Sequence, residues 1–432
     1  MSEKQKINIL WLNNNLRIRD NEALLKIQQE DLPFVALYIF DSKFYSQKQF
    51  GFKKTGMFRT KFLLETVLDV EKKLNQNGIP FLKKFGNTAE IFKQIAEYFD
   101  IETIFCQEEW TKDETDVQQR VEKALPKAVW SKSYSQLLLQ PDFVYHQIEK
   151  IPFQFTTFRQ KVEKNFTVRK EFVFNKTGND LNFEIQVKSD EINLATLGFE
   201  DFENHRFSAF PFSGGETEAL KRLNSYFAET ENLSKYKETR NGMTGSGYSS
   251  KFSAWLANGS LSPISVYYEI KKYEAEFGSN ESTYWLVFEL LWREFFKYVS
   301  MENKDKIFQL KGISDKEYPF QSEDNVIQKW IAGKTESDFI NANMLEIRQT
   351  GFMSNRGRQN VASYFCKILR QDWRIGAAYF EEMLVDYDLH SNYGNWMYLA
   401  GVGNDPRGRT FNPGKQAEQY DNDYKFRNLW LR

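Results

Sequence analysis

The feature that most constrains this chain is a change of period near residue 140. Before it, apolar runs of strand length (INILWLNN, PFVALYIF, IPFLKKF, IETIFCQE and AVWSKSYSQLLL) alternate with segments of helical spacing (MFRTKFLLETVLDVEKKLNQNG, TAEIFKQIAEYF and DETDVQQRVEKAL). Strands apolar along their whole length need cover on both faces, and the intervening helices supply it. Residues 1–140 therefore predict an α/β domain built on a parallel, five-stranded, Rossmann-like sheet. Gly78 ends the first of these helices, and Thr111 or Asp113 caps the third. No GxGxxG follows the first strand and no GxxxxGK[ST] occurs anywhere, which argues against a nicotinamide or P-loop nucleotide site.

From about 141 to 205 the pattern weakens. PDFVYHQIEKIPFQFTTFRQKVEKNF passes into polar, turn-prone sequence, read as a connecting segment with little core of its own. After that the spacing is helical to the end, in ETEALKRLNSYFAE, KFSAWLANG, PISVYYEIKKYEAEF and STYWLVFELLWREFFKYVS. Residues 206–432 thus predict an all-α domain. With 58 Lys+Arg against 59 Asp+Glu, any nucleic-acid contact has to come from a local basic patch. Two cysteines, Cys106 and Cys366, predict neither a disulfide framework nor a metal site and fit a reduced, cytoplasmic setting. No run reaches the length of a membrane span, and MSEKQKINILW turns directly into a strand, so no leader is expected. A monomer is expected.

Four segments carry candidate chemistry. In residues 386–413, two carboxylates (Asp386, Asp388), an amide (Asn392) and an indole (Trp396) could face one pocket around a planar redox ring. A loop of capping residues with one core Trp reads equally well. Trp396 follows Asn392 by four residues, the same face if the segment is helical. In residues 247–263, Ser249, Ser250, Lys251 and Ser253 open a helix and could cradle phosphate, or could simply cap it. In STYWLVFELLWREFF, Glu289, Trp292, Arg293 and Phe296 recur at helical spacing, with Arg293 turned toward Glu289. That stripe lines a polar-aromatic cavity or packs a core beside a surface ion pair. Residues 348–374 hold Arg348, Arg356, Arg358, Lys367, Arg370 and Arg374 against Asp372 alone, a candidate phosphate-backbone surface or a solvated helix face. Aromatics form 16% of the chain, and seven of the ten tryptophans lie at or beyond Trp255, a bias that needs a cause.

Taken in order, YSSKFSAWLANGSLSP, FELLWREFF, GFMSNRGRQNVASYF, DWRIGAAYF and SNYGNWMYLAGVGNDPR resemble the flavin-site motifs of the photolyase/cryptochrome family. WLNNNLRIRDNEAL resembles its opening strand and loop, and GNWMYLAGVGNDPR and FTTFRQKVE look most like the DASH cryptochromes. The resemblance implies an α/β antenna domain and a helical domain that binds FAD. It implies phosphate and ribose contacts from Tyr236, Ser249, Ser250, Lys251, Phe252 and Ser253. Arg293, Asn355, Arg358, Asp386 and Asp388 would surround the rings, with Asn392 at the reactive ring nitrogen. Glu289, Trp292, Arg356 and Gln359 would meet the lesion and its DNA, and Glu109 resembles the carboxylate that binds 5,10-methenyltetrahydrofolate as antenna.

The implied activity is blue-light repair of cyclobutane pyrimidine dimers, preferring single-stranded DNA, by electron transfer from reduced flavin. Trp396 and Trp373 match the inner members of the family's tryptophan relay; Phe320 stands where the outer Trp is expected, with Tyr318 as another exit. Asn341 and Leu345 stand where Asp and Arg are usual, and His390 reads as a local feature rather than a proton donor. The competing reading is a blue-light sensor that signals through a partner with little repair. A light-independent flavin oxidoreductase lacks its nicotinamide fingerprint.

Overall fold

The computed structural model describes residues 4–174, 187–314, 318–405 and 407–432. The strands are β1 (Gln5–Leu12), β2 (Phe34–Asp41), β3 (Lys48–Gln49), β4 (Phe52–Lys53), β5 (Phe81–Gly86), β6 (Phe99–Gln107) and β7 (Val129–Ser133). Five of them form one parallel sheet in the order β5-β2-β1-β6-β7; β3 and β4 make a short antiparallel ribbon. The unbroken apolar runs have the cause inferred for them. Leu10, Leu12, Ala36, Tyr38 and Phe40 pack under the Met57–Gln76 helix. Their alternates Ile7, Ile9, Val35 and Leu37 pack with Phe92 and Val121 from helices Thr88–Tyr98 and Lys112–Ala124 on the other face. Thr111 is the residue that precedes the last of these helices.

The sheet order turns at β1. The chain runs outward to β2 and β5, then returns to β6 on the opposite side of β1. A switch of this kind leaves a crevice beyond the carboxyl ends of the strands. Here it is a cavity of about 220 Å³, walled by Trp11 and Asp41 from the sheet and Glu109 just beyond β6, and closed by Glu381, Tyr387 and His390 from the helical half.

Two sequence expectations need correction. The AVWSKSYSQLLL strand ends at Ser133, because Leu137, Leu138 and Leu139 leave the sheet and bury themselves against the helical half. There Glu294 accepts the Leu139 N–H at 3.1 Å, and the Tyr298 hydroxyl donates to the Leu139 carbonyl at 2.6 Å. The segment 141–205 is also less bare than its polarity implies. Helices Pro141–Gln147 and Phe155–Glu163 place Val144, Phe155, Phe158 and Val162 in the same core as the long Glu281–Asn303 helix. Residues 175–186 of that expected connector lie outside the described residues.

Beyond residue 215 the described elements are helical. Much of the tryptophan bias is packing: Trp255, Trp330, Trp373 and Trp396 are all fully enclosed. Among the described residues no helix is long and apolar enough to cross a membrane, and no cluster of His, Cys, Asp and Glu is arranged to hold a metal ion.

The joint between the sheet and the helices is polar and tight. Arg17, in the loop after β1, is 1% exposed and donates to the carbonyls of Arg19 (3.0 Å), Asp20, Ser135 and Gly259 (2.8 Å each). Asp20, also without solvent exposure, accepts from Arg169, from the Phe172 N–H at 3.0 Å and from the Ser262 hydroxyl. Gly259 sits at φ +73°, and a Cβ there would lie 1.9 Å from the Asn14 carbonyl oxygen, so only glycine allows the approach. Replacing Arg17 with Met should lower unfolding free energy by about 3–5 kcal/mol, because it leaves Asp20 short of a cation and four carbonyls without a donor. Equilibrium urea denaturation measures the loss; a midpoint equal to the native one would refute this role for Arg17.

Candidate functional site

A second, larger cavity of about 410 Å³ lies within the helical half, and a recess of about 90 Å³ adjoins it. Three helices and one loop build it. The Glu281–Asn303 helix presents Glu289, Trp292, Arg293 and Phe296, whose spacings of three and four put them along one wall. The Asn355–Ser363 helix contributes Asn355, Arg358 and Gln359 to both spaces. The Leu389–Ala400 helix places Asn392 and Trp396 one turn apart in the recess, as their spacing predicts. Residues 248–253 form the facing edge, with Tyr236 beside them.

The serine-rich edge is a loop, not a helix start. The helix is only Ser253–Asn258, and Lys251 adopts φ +63° before it. Arg222 fixes this loop by donating to the carbonyls of Ser246, Ser249 and Ser250 at 3.0–3.1 Å. With those carbonyls turned toward Arg222, the loop can present hydroxyls and N–H groups to the cavity. Ser250, Lys251 and Phe252 are buried, and Ser253 is exposed.

The acids behave differently from one another. Asp386 takes the Arg358 guanidinium with both oxygens at 2.9 Å. Asp388 caps its helix, accepting the Ser391 N–H at 2.7 Å, and Lys297 Nζ stands 3.4 Å from its other oxygen. Burial acts to raise the Asp388 carboxyl, but Lys297, His390 and Arg293 hold it well below the usual range. Asn392 donates one N–H to the Ala377 carbonyl at 3.1 Å, which fixes the amide and leaves its carbonyl oxygen as an acceptor toward the recess.

Glu289 does not pair with Arg293, as the helical spacing suggested. Its partner is Arg240, whose guanidinium also lies 4.8 Å from the Trp285 ring. Arg293 instead donates to the carbonyls of Gln136 (2.7 Å) and Leu256 (3.1 Å), joining three segments. Burial raises the Glu289 carboxyl while Arg240 opposes that. Trp292 is backed by Phe155, stacked at 3.8 Å and 15°.

Nor do the arginines of 348–374 form one surface. Arg348, Arg356, Arg358 and Arg374 are divided among helices Asp338–Thr350, Asn355–Ser363 and Trp373–Met383, and Arg370 lies in the turn before the last of them. Arg374 is held by Asp372 and Lys367 by the Ala400 carbonyl, while Arg358 faces inward. Arg356 donates to Gln359 (2.9 Å), itself part of the cavity lining, and to Asn241 (3.1 Å).

Trp396 lies against Gly376, where a Cβ would meet its ring at 2.2 Å, one turn along the helix from Trp373. Trp373 donates its indole N–H to the Leu310 carbonyl at 2.9 Å. Phe320 is half-buried beside Tyr318, ring centroids 5.8 Å apart. Asn341 closes its own loop through Thr335 (2.7–2.9 Å), and Leu345, one turn on, packs in the same helix's apolar edge. The acid and base usual there are absent together. His390 is buried, stacked on Trp110 at 4.9 Å and bonded to the Ser300 hydroxyl at 2.7 Å.

Sequence reasoning missed Arg240, Lys297 and Glu346, which belong to no motif and enter only through the fold, and gave no role to Phe155 and Tyr248, the first residues of FTTFRQKVE and YSSKFSAWLANGSLSP. Two of them bear on what the cavity can hold. Lys251 Nζ is buried without a hydrogen-bond partner, lying over the rings of Tyr248 (3.2 Å) and Phe352 (4.6 Å). The Tyr248 hydroxyl and Glu346 Oε2 are likewise buried and unpartnered. Burial pushes the Lys251 amine well down and the Glu346 carboxyl up to about 8. Donors left open in this way fit a ligand that brings its own anionic and polar atoms, and the volume is that of a small-molecule site. FAD, with a diphosphate for the loop and a planar ring for the recess, fits this lining.

Comparison with known proteins agrees. Residues 8–174 match the family model described as DNA photolyase, and residues 285–432 match the FAD binding domain of DNA photolyase. A cryptochrome DASH from Xenopus laevis is 40% identical over 445 residues, spanning 100% of this chain and 83% of that protein. One from Synechocystis sp. is 40% identical over 430 residues, spanning 98% and 87%. The crystal structure of a Synechocystis cryptochrome superimposes with a TM-score of 0.95 at 39% identity, covering 100% of this chain and 89% of that one. A class III photolyase from Agrobacterium tumefaciens shares the fold at a TM-score of 0.83 and 23% identity, covering 100% and 87%. By sequence and by fold, this chain belongs to the photolyase/cryptochrome family, alongside its DASH cryptochromes, with an FAD-binding helical half.

Proposed function

We propose that this protein repairs cyclobutane pyrimidine dimers under blue light, with a preference for single-stranded DNA. The observation that carries this reading is the shared wall: Glu289 and Trp292 line the same cavity as the residues suited to hold FAD. A base entering there meets an indole and a carboxylate at once. When bound and reduced, FAD supplies the light-excited electron that opens the cyclobutane ring.

The chain's own part is to seat and orient. Trp292, backed by Phe155, offers a base a stacking surface of roughly 1–3 kcal/mol. Glu289 offers acceptor oxygens for base N–H groups, and Arg240 has to share or release that carboxylate as the lesion enters. Arg356 and Gln359 stand at the mouth for the DNA. Lys251 and the loop 249–253 answer the diphosphate; Asp386, Arg358 and Asn355 the rings; and Asn392 the reactive ring nitrogen. Trp396 and Trp373 serve as the inner steps of an electron path. Unstacking a paired base costs a few kcal/mol that a single strand does not require, so single strands are the easier substrate.

We further propose 5,10-methenyltetrahydrofolate for the cavity of about 220 Å³, with Glu109 as its carboxylate. Glu109 is 4% exposed and is held by Gln107 at 2.7 Å.

Reduced protein, illuminated with dimer-containing oligonucleotides, should clear dimers from single strands faster than from duplex. No loss of dimer in either would promote the sensor reading. Glu289→Ala should slow repair roughly 10- to 100-fold, the worth of a hydrogen bond to a charged group, with flavin absorbance unchanged. Lys251→Met should weaken FAD binding by roughly the same factor, yet leave the flavin-free protein at least as stable, because a lone buried amine is removed. FAD titration beside thermal unfolding separates the two effects. Glu109→Gln should reduce folate loading, read from folate absorbance, while flavin content holds.

A further inference from the structure

Between the two cavities stands a wall that neither motif nor spacing anticipates, and Lys297 is at its centre. This lysine, on the Glu281–Asn303 helix, is 1% exposed. On one side Nζ donates to the Gln136 side-chain oxygen, and the Gln136 amide reaches Glu109 Oε2 at 3.4 Å. On the other side Nζ stands 3.4 Å from Asp388 Oδ2. Asp388 lines all three spaces: the sheet-end cavity, the larger cavity and its recess. Glu109 lines only the first of them.

We propose that Lys297 is a positioning residue that sets the charge at the flavin cavity through Asp388, with Glu109 of the neighbouring cavity as its second counter-charge. It works through the carboxylate and touches no flavin atom itself. This rests on FAD occupying the cavity of about 410 Å³.

The surroundings make the amine responsive. From its own helix it faces Arg293 and Glu294; from the loops beyond β6 and β7, Glu109, Trp110 and Gln136; from the Leu389–Ala400 helix and its cap, Asp388 and His390. Burial brings Lys297 down to about 8, while Asp388 and Glu109 act to raise it. Burial likewise brings Glu109 up to about 8. Below that point the wall carries a cation beside Asp388; above it, the cation is lost and Asp388 stands with less compensation. Reduction adds negative charge to a flavin, so losing the cation makes reduction harder.

The test is a potentiometric titration of the FAD-loaded protein at successive pH values. The native protein should show an added downward step in flavin midpoint potential near pH 8. Lys297→Met should lack the step and lie at the lower potential throughout. Lys297→Arg should lack it too but keep the higher potential, because a guanidinium does not titrate there. Glu109→Gln should move the step to lower pH, since it removes a charge that favours the protonated amine. A step that persists in Lys297→Met, or an unmoved one in Glu109→Gln, would overturn the proposal. If Lys297→Met folds poorly, Lys297→Arg and Glu109→Gln decide the matter. Flavin content of the native protein, read by absorbance, shows separately whether the site assignment itself has failed.

Discussion

The buried ion pair of Arg17 and Asp20 is the interaction on which the geometry of this molecule turns. Arg17 fixes the Ser135 carbonyl from the sheet side, and Arg293 fixes the next carbonyl, Gln136, from the helical side. Two consecutive peptide groups are thereby held by two guanidiniums from different halves of the chain. Asp20 completes the joint by holding Ser262, at the start of the Pro263–Phe277 helix. The glycine at 259 removes the last obstacle to contact. Once these are set, the ends of the strands must face the start of the Leu389–Ala400 helix, and the two cavities must share a wall. Neither cavity could be built by one half alone.

This joint also explains what could be read from the sequence. Period carried the sheet, its two covers and the helical half, because apolar spacing is fixed by which face meets the core. Spacing within one helix carried Asn392 with Trp396, and Glu289 with Trp292, since residues three and four apart share a face whatever lies opposite. Partners across the fold were not legible. Arg240 lies 49 residues from Glu289, and Gln136 lies 161 from Lys297. Helical spacing offered Arg293 to Glu289, but the carbonyls of Gln136 and Leu256 claimed it instead. The serine-rich segment misled for a backbone reason: the positive φ of Lys251 delays the helix, and Arg222, an unremarked residue upstream, makes the loop rigid. The arginines of 348–374 are close in sequence but divided over three helices and a turn, so composition alone joined what the fold separates.

The family resemblance located the site residues, yet the departures from it acquire meaning only in three dimensions. Asn341 and Leu345 are one helical turn apart. Losing an acid and a base together leaves no unpaired charge, and the amide of Asn341 closes the loop through Thr335. Phe320 is a different case. Trp396 and Trp373 are enclosed, whereas Phe320 is paired with the half-buried ring of Tyr318. Benzene rings are far harder to oxidise than indoles, so an electron path that starts at Trp396 changes character where it nears the surface.

Two kinds of buried charge stand side by side in this chain, and the contrast separates framework from site. Arg17 and Asp20 have hydrogen-bond partners on all sides; they cost much to bury, and their partners offset that cost within the protein itself. Lys251, Glu346 and the Tyr248 hydroxyl are buried with polar atoms left open. Attraction between Lys251 and Glu346 and the Tyr248 ring under Lys251 offset only part of that desolvation, so these groups lower stability unless something else brings the missing atoms. A core would not keep them, and a surface would not need them. Tyr248 and Lys251 line one cavity with Arg358 and Asp386, and Glu346 stands close to Lys251, as expected when part of a polar network belongs to a ligand. Lys297 lies between these two classes. It is fully enclosed like Arg17, but its partners belong to two cavities, so its charge answers to whatever occupies either of them.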